Sequence, residues 1–172
     1  MSKSHELAWC AGFFDGDGYI HINKVTVKPR NENQTSYIQH RLRIGINHVA
    51  IEPLIKVSKI LGGEVRLDKS SIKKQYDKYN RKPRHIWFLN DSAAKEALIK
   101  LMPYLINKTK VAELAIDFRN TYTKLGGGKI EESTLELRDS YKEQITHLNS
   151  LDWRYSLIYI VIYRVPMVTI GT

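Results

Sequence analysis

The stretch Ala11-Gly12-Phe13-Phe14-Asp15-Gly16-Asp17-Gly18, near the start of a 172-residue chain, decides the fold. It joins a helix with small residues on one face to a glycine-rich turn carrying two carboxylates. Ser4 is placed to cap that helix, Glu6 falls in its first turn, and the helix is expected to reach about Phe14. Leu7, Cys10 and Phe14 make an apolar face. Ala8, Ala11, Gly12 and Asp15 make a small one, along which a second backbone can approach closely. Gly16 and Gly18 are expected to break the helix. By spacing alone the acids are a weak signal, because Asp and Gly favour polar turns for backbone reasons.

Downstream the period changes to two. Tyr19 to Val25 sets Ile20 and Ile22 on one face and Tyr19, His21, Asn23 and Val25 on the other. Arg41 to Asn47 repeats the pattern, with an outward set of Gln39, Arg41, Arg43 and Asn47. Pro53 opens a helix that Gly62-Gly63 stops after Leu61. Glu64 to Asp68 and Arg84 to Leu89 read as two more strands, and Arg66, Asp68, His85 and Trp87 are expected on the outward face. Between them a basic stretch holds Lys73, Lys74, Lys78, Arg81 and Arg84 with Tyr76 and Tyr79 interleaved. Ser92 caps a helix to Met102, Pro103 interrupts, and a longer helix covers Lys108 to Leu125. Glu131 to Leu148 reads as an amphipathic helix, and the β-branched, aromatic run Tyr155 to Val165 as an extra strand. The order helix, strand, strand, helix, strand, strand, helix, helix predicts an α+β domain with an antiparallel sheet. Residues 1–128 form its core, and 129–172 an extension packed on it.

Hydrophobic content of 42% and charged content of 26% are those of a globular chain, which excludes wholesale disorder. The single cysteine, Cys10, excludes an internal disulfide framework and a cysteine-built zinc cluster. The N-terminus lacks the apolar core of a secretory signal, and the run Leu157 to Tyr163 is too short to span a bilayer. A soluble intracellular protein with no membrane partner is expected. The net charge is +9, and it is concentrated: residues 24–84 hold 15 bases against 5 acids. A clustered basic excess suits a polyanion, because neutralising phosphates releases counterions. The mixed polar chemistry of the outward strand positions could read base edges, with Arg for guanine and Asn or Gln for adenine.

Three further groups are candidates for chemistry. A hard cation such as magnesium takes one or two carboxylates plus backbone oxygen and water, and Asp15 and Asp17, two apart at a helix end, diverge so that only one of them can sit at a metal. Lys108, with Lys110, stands after Pro103 near the start of a helix, where an ammonium can stabilise developing phosphate charge. His48 closes the second strand.

Cys10 to Gly18 resembles the signature of the LAGLIDADG homing endonucleases, with cysteine in place of the first leucine. The element order through about residue 125, the Pro103-Tyr104-Leu105 entry to a helix, and Lys108 just after it strengthen the likeness. The resemblance implies a saddle-shaped sheet on an αββαββα core and site-specific hydrolysis of double-stranded DNA with magnesium or manganese. One motif per chain implies a homodimer on a long, near-palindromic site, its two first helices packed along Ala8, Ala11 and Gly12. It also implies metal ligation by Asp17 with the Gly16 carbonyl, a structural role for Asp15 at the helix end, and a catalytic basic residue at Lys108. A water-organising polar residue falls at His48, where the family often has glutamine. The alternative function is a nucleic-acid binder without cleavage, such as an intron-splicing maturase.

Overall fold

The computed structural model describes residues 2–28, 35–72, 82–122 and 130–162, the last eleven by backbone alone. Its elements are α1 (Lys3–Asp17), β1 (Gly18–Val27), β2 (Tyr37–His48), α2 (Glu52–Leu61), β3 (Glu64–Leu67), β4 (His85–Asn90), α3 (Asp91–Leu101), α4 (Thr109–Asn120) and α5 (Glu132–Ile162). The four strands form one antiparallel sheet in the order β1-β2-β4-β3.

Register follows from burial. Ile20 pairs with Ile44, Ile44 with Leu89, Ile46 with Trp87, and Trp87 with Val65. A one-residue slip would turn all of these side chains to the opposite face. They meet Phe14 of α1, Leu54 and Val57 of α2, Ala94 and Leu98 of α3, and Ala112, Ala115 and Phe118 of α4 in a single buried cluster. The helices therefore serve one face of the sheet, and the other carries polar and aromatic side chains.

Helix α1 begins earlier and ends later than spacing suggests. Ser2, rather than Ser4, is its cap and accepts from the His5 amide. The helix also runs through Gly16 to Asp17, and Gly18 ends it with its amide bonded to the Phe14 carbonyl. A glycine inside a helix costs only about 1 kcal/mol, which the tertiary contacts of Phe14 and Asp15 offset. Gly18 has no latitude: a Cβ there would collide with the Phe14 ring and carbonyl.

The C-terminal extension differs from its expected form. Helix α5 continues through Tyr155 to Ile162 where an extra strand is expected, and residues 163–165 lie outside the described residues. Strand preference expresses fit to a neighbouring strand, whereas a continuing helix satisfies its own backbone groups. Several bonds hold α5 to the body. Ile145 is buried, and the Tyr141 ring meets Phe118 edge-on. Asn149 donates to the Ile20 carbonyl of edge strand β1. Asp139 binds Lys24 at 2.7 Å and the buried His40 at 2.9 Å.

Candidate functional site

The two motif acids have opposite situations. Helix α4 starts without a capping side chain of its own, so the first amides of its approach need an outside acceptor. Asp15 supplies it from α1. Its Oδ2 accepts from Ile106 N at 2.6 Å and Asn107 N at 3.3 Å, and its Oδ1 from Lys108 N at 3.0 Å. Lys108 reciprocates by donating its Nζ to the Asp15 carbonyl at 2.5 Å, one of the last carbonyls of α1. Each helix thus caps the other, with carboxylate at an N-terminus and ammonium at a C-terminus, as the helix dipoles favour. Asp17 lies two residues on and is exposed. Among the described residues it forms no hydrogen bond or ion pair, and no three His, Cys, Asp or Glu side chains gather as a cation cage. Asp17 and the adjacent Gly16 backbone are oxygen donors of the type a hard cation takes, but one chain offers too few.

The outer surface of α1 is small and apolar, and it keeps Ala8 and Gly12 of the expected stripe but not Ala11 or Asp15. Ala8, Gly12 and Gly16 are exposed, and a Cβ added at either glycine would meet nothing. Ala11, expected on this stripe, is fully buried and packs in the chain's own core beside Cys10 and Phe14. The buried stripe of α1 takes in position 11 because a core-facing helix stripe is wider than a single row. Burial pushes the Cys10 thiol up to about 11, so it stays protonated and unreactive at neutral pH. Beside the exposed stripe, a partly buried aromatic row extends from the motif to the end of β2. Lys56 Nζ sits 4.1 Å over Trp9, the Trp9 and Phe13 ring centroids are 5.7 Å apart, and Phe13 meets His48 edge-on at 5.5 Å. His48 Nδ1 is 3.1 Å from both the amide and the carbonyl of Ala50. Since Gly18 pairs with Ile46, the register carries His48 beyond β1 to the end of α1.

On the helix-free face of the sheet, the odd positions of β1 and β2 stand as expected. Tyr19 stacks on His21 at 5.3 Å, Asn23 Nδ2 lies 2.9 Å from His21 Nε2, and Arg41 Nε donates to Gln39 at 3.1 Å. Burial, and then the Arg43 charge, lower the His21 pKa, so this ring is neutral at neutral pH. Burial raises that of Tyr19 against the opposing pull of Arg43. Gly45 is required here: a Cβ would lie 2.5 Å from the Tyr19 hydroxyl and 2.6 Å from the Trp87 carbonyl oxygen. Asn47 and Val25 are exposed at opposite ends of the sheet.

Strand β4 has the phase opposite to the expected one. Trp87 is completely buried, paired with Ile46 and Val65, and its Nε1 donates to the Gly62 carbonyl at 2.8 Å. His85 shares that phase, and its Nδ1 lies 3.2 Å from the Val49 carbonyl oxygen. Both leave the outward set, and Ile86, Phe88 and Asn90 replace them. A buried indole with its N–H satisfied gains more than an exposed one. Phe88 is the consequential residue missed. Arg43 and Arg66 set their guanidinium carbons 4.2 and 4.6 Å from its ring centroid. Asp68 is committed elsewhere, accepting from Ser70 N and Oγ and from Arg84 at 3.2 Å. Bonds from Ser70 and the Arg84 charge hold its carboxyl below the usual range. Lys110 pairs with Glu113. Lys73, Lys74, Tyr76, Lys78 and Arg81 lie outside the described residues.

An αββαββα order, an open antiparallel sheet bare on one side, and a small-faced first helix ending in two acids define the homing-endonuclease architecture. A family model described as LAGLIDADG endonuclease matches residues 10–120, and the chain belongs to that family. Among solved structures it is similar to the homing endonuclease I-CvuI in complex with its target in the presence of calcium. That likeness has 24% identity, 85% coverage of this chain and 83% of the other, and a TM-score of 0.61. The same endonuclease on the I-CreI target with magnesium, its DNA not cleaved, gives the same figures. The archaeal intron-encoded homing endonuclease I-Vdi141I complexed with DNA is similar at 12% identity, with 91% and 99% of the two chains covered and a TM-score of 0.57. At these identities the likeness concerns the fold. No curated protein sequence matches the chain. Among the described residues no helix is long and apolar enough to cross a membrane.

Proposed function

We propose that two copies of this chain form a metal-dependent, site-specific endonuclease that cuts both strands of a long, near-palindromic DNA target. The observation that carries the reading is the contrast between the acids of one motif: Asp15 is spent on capping α4, and Asp17 is exposed with no partner among the described residues. Family membership and the DNA-bound state of the similar structures support it. The exposed stripe of Ala8, Gly12 and Gly16 suits close packing of a second α1, which brings Asp17 and its symmetry mate to one seam. Two-fold symmetry of the protein then matches two-fold symmetry of the site.

In this arrangement Asp17 and the Gly16 carbonyl hold magnesium or manganese, which when bound activates water and stabilises the leaving oxygen. Lys108, anchored on the Asp15 carbonyl, keeps further N–H donors for phosphate charge. His48, braced by Phe13 and the Ala50 backbone, is a polar group at the edge of the site suited to ordering solvent. The helix-free sheet face lies along the DNA, and the core at 1–128 acts with the 129–172 extension as one unit.

The test is incubation with DNA selected from a randomised pool, with magnesium and with chelator. Cleavage of both strands at one site only with the metal supports the reading. Specific binding without nicking would instead favour a non-cleaving splicing cofactor. Gly12→Leu fills the exposed stripe and is expected to yield folded monomers by light scattering; a stable, active dimer of that variant would contradict the seam.

A further inference from the structure

We propose that Arg43 and Arg66, gathered on Phe88, are the guanine-reading pair of this protein, so that each half of its target carries guanine at the two positions facing them. The proposal rests on the endonuclease reading and adds the sequence class that the sheet selects. The three residues come from β2, β3 and β4. Phe88 pairs directly with Gly45 and with Glu64, Arg43 with Asn90, and Arg66 with Ile86. The arginines therefore approach the ring from opposite ends of β4. The ring is 9% exposed, Arg43 half-buried and Arg66 exposed, so the trio forms a floor set into the bare face.

Two features point to an outside partner for it. Among the described residues neither arginine forms an ion pair with a carboxylate, although two like charges converge on one ring. Glu64, opposite Phe88 on the same face, forms no ion pair among the described residues, and Asp68, just past β3, is occupied by Ser70 and Arg84. Stacking on an aromatic ring holds a guanidinium flat and removes much of its rotational freedom, so its outer N–H fork is preset. A flat, preset fork in a groove matches the O6 and N7 acceptors of guanine. A free arginine at a sheet rim would instead serve phosphate, which needs no such alignment.

The experiment is equilibrium binding selection without metal from a library randomised across the half-site, at two salt concentrations. It uses the natural chain, Arg43→Ala, Arg43→Lys, Arg66→Ala and Phe88→Leu, with thermal melting as a folding control. Each arginine variant is expected to lose about tenfold or more of the preference for guanine at one symmetry-related pair of positions. Arg43→Lys is expected to retain affinity for random DNA but lose that preference, because an ammonium has no fork. Phe88→Leu is expected to weaken guanine preference at both positions together. A uniform loss of affinity over all sequences, with a shallower salt dependence, would assign these arginines to phosphate and overturn the proposal. Unchanged base profiles in a protein that still selects and cuts a site would overturn it alone. Absence of any sequence preference in the natural chain would overturn it together with the endonuclease reading.

Discussion

The two faces of the sheet use polar chemistry in opposite ways. On the helix-covered face, polar groups close on one another: His40 and Lys24 on Asp139, Leu42 N and Arg119 on Asp91, the Trp87 indole on the Gly62 carbonyl. On the bare face, side chains are arranged but not consumed. Arg41 leans on Gln39, His21 on Asn23, and two arginines crowd one phenyl ring. The end of α1 repeats this contrast within three residues, Asp15 being internally satisfied and Asp17 not. Buried polar groups need partners inside the fold; those left open mark where an outside partner belongs.

Substitutions on the covered face should therefore change stability and leave base preference alone. The largest effect is expected for Trp87→Ala, which empties the centre of the core and should cost about 3–5 kcal/mol by chemical denaturation. Asp15→Ala comes next. It removes the acceptor for three amides at the start of α4 and should cost about 2 kcal/mol, with Asp15→Asn partly restoring it. The smallest is Asp139→Asn, about 1 kcal/mol, because the carboxylate is partly solvated. Its signature is pH dependence. Bonds from Lys24 and then His40 hold the Asp139 carboxyl below its ordinary 3.8. Its contribution is thus present above that value, and it is lost as pH falls from there through the folded pKa, where the unfolded chain binds the extra proton. Melting the variant alongside the natural chain should show a smaller loss of stability over that acid window. A loss of base preference in any of these variants, at temperatures where they remain folded, would blur the division between the faces.

The parts readable from sequence are those where one physical signal acts alone. In β1 and β2 apolar and polar residues alternate cleanly, so the outward residues Tyr19, His21, Asn23, Arg41 and Arg43 follow from period two. In β4 the run His85-Ile86-Trp87-Phe88-Leu89-Asn90 has apolar residues in both phases. Only pairing with Ile46 and Val65 decides that Trp87 goes in and Phe88 out. Ala11 is small enough for either an exposed seam or a tight core, and packing chose the core. Asp15 and α4 are 93 positions apart at the Lys108 amide, so no local pattern announces that one caps the other. The strand expected after Tyr155 rested on residue preference without a neighbouring strand, and α5 took that segment.

The claim that the motif divides its acids between structure and chemistry is tested most directly by Asp17→Asn, with melting temperature, specific DNA binding and magnesium-dependent cleavage measured on one preparation. Unchanged melting and binding, with cleavage reduced by about a thousandfold or more, is the predicted result. Cleavage at the natural rate, or a loss of stability matching that of Asp15→Ala, would contradict it.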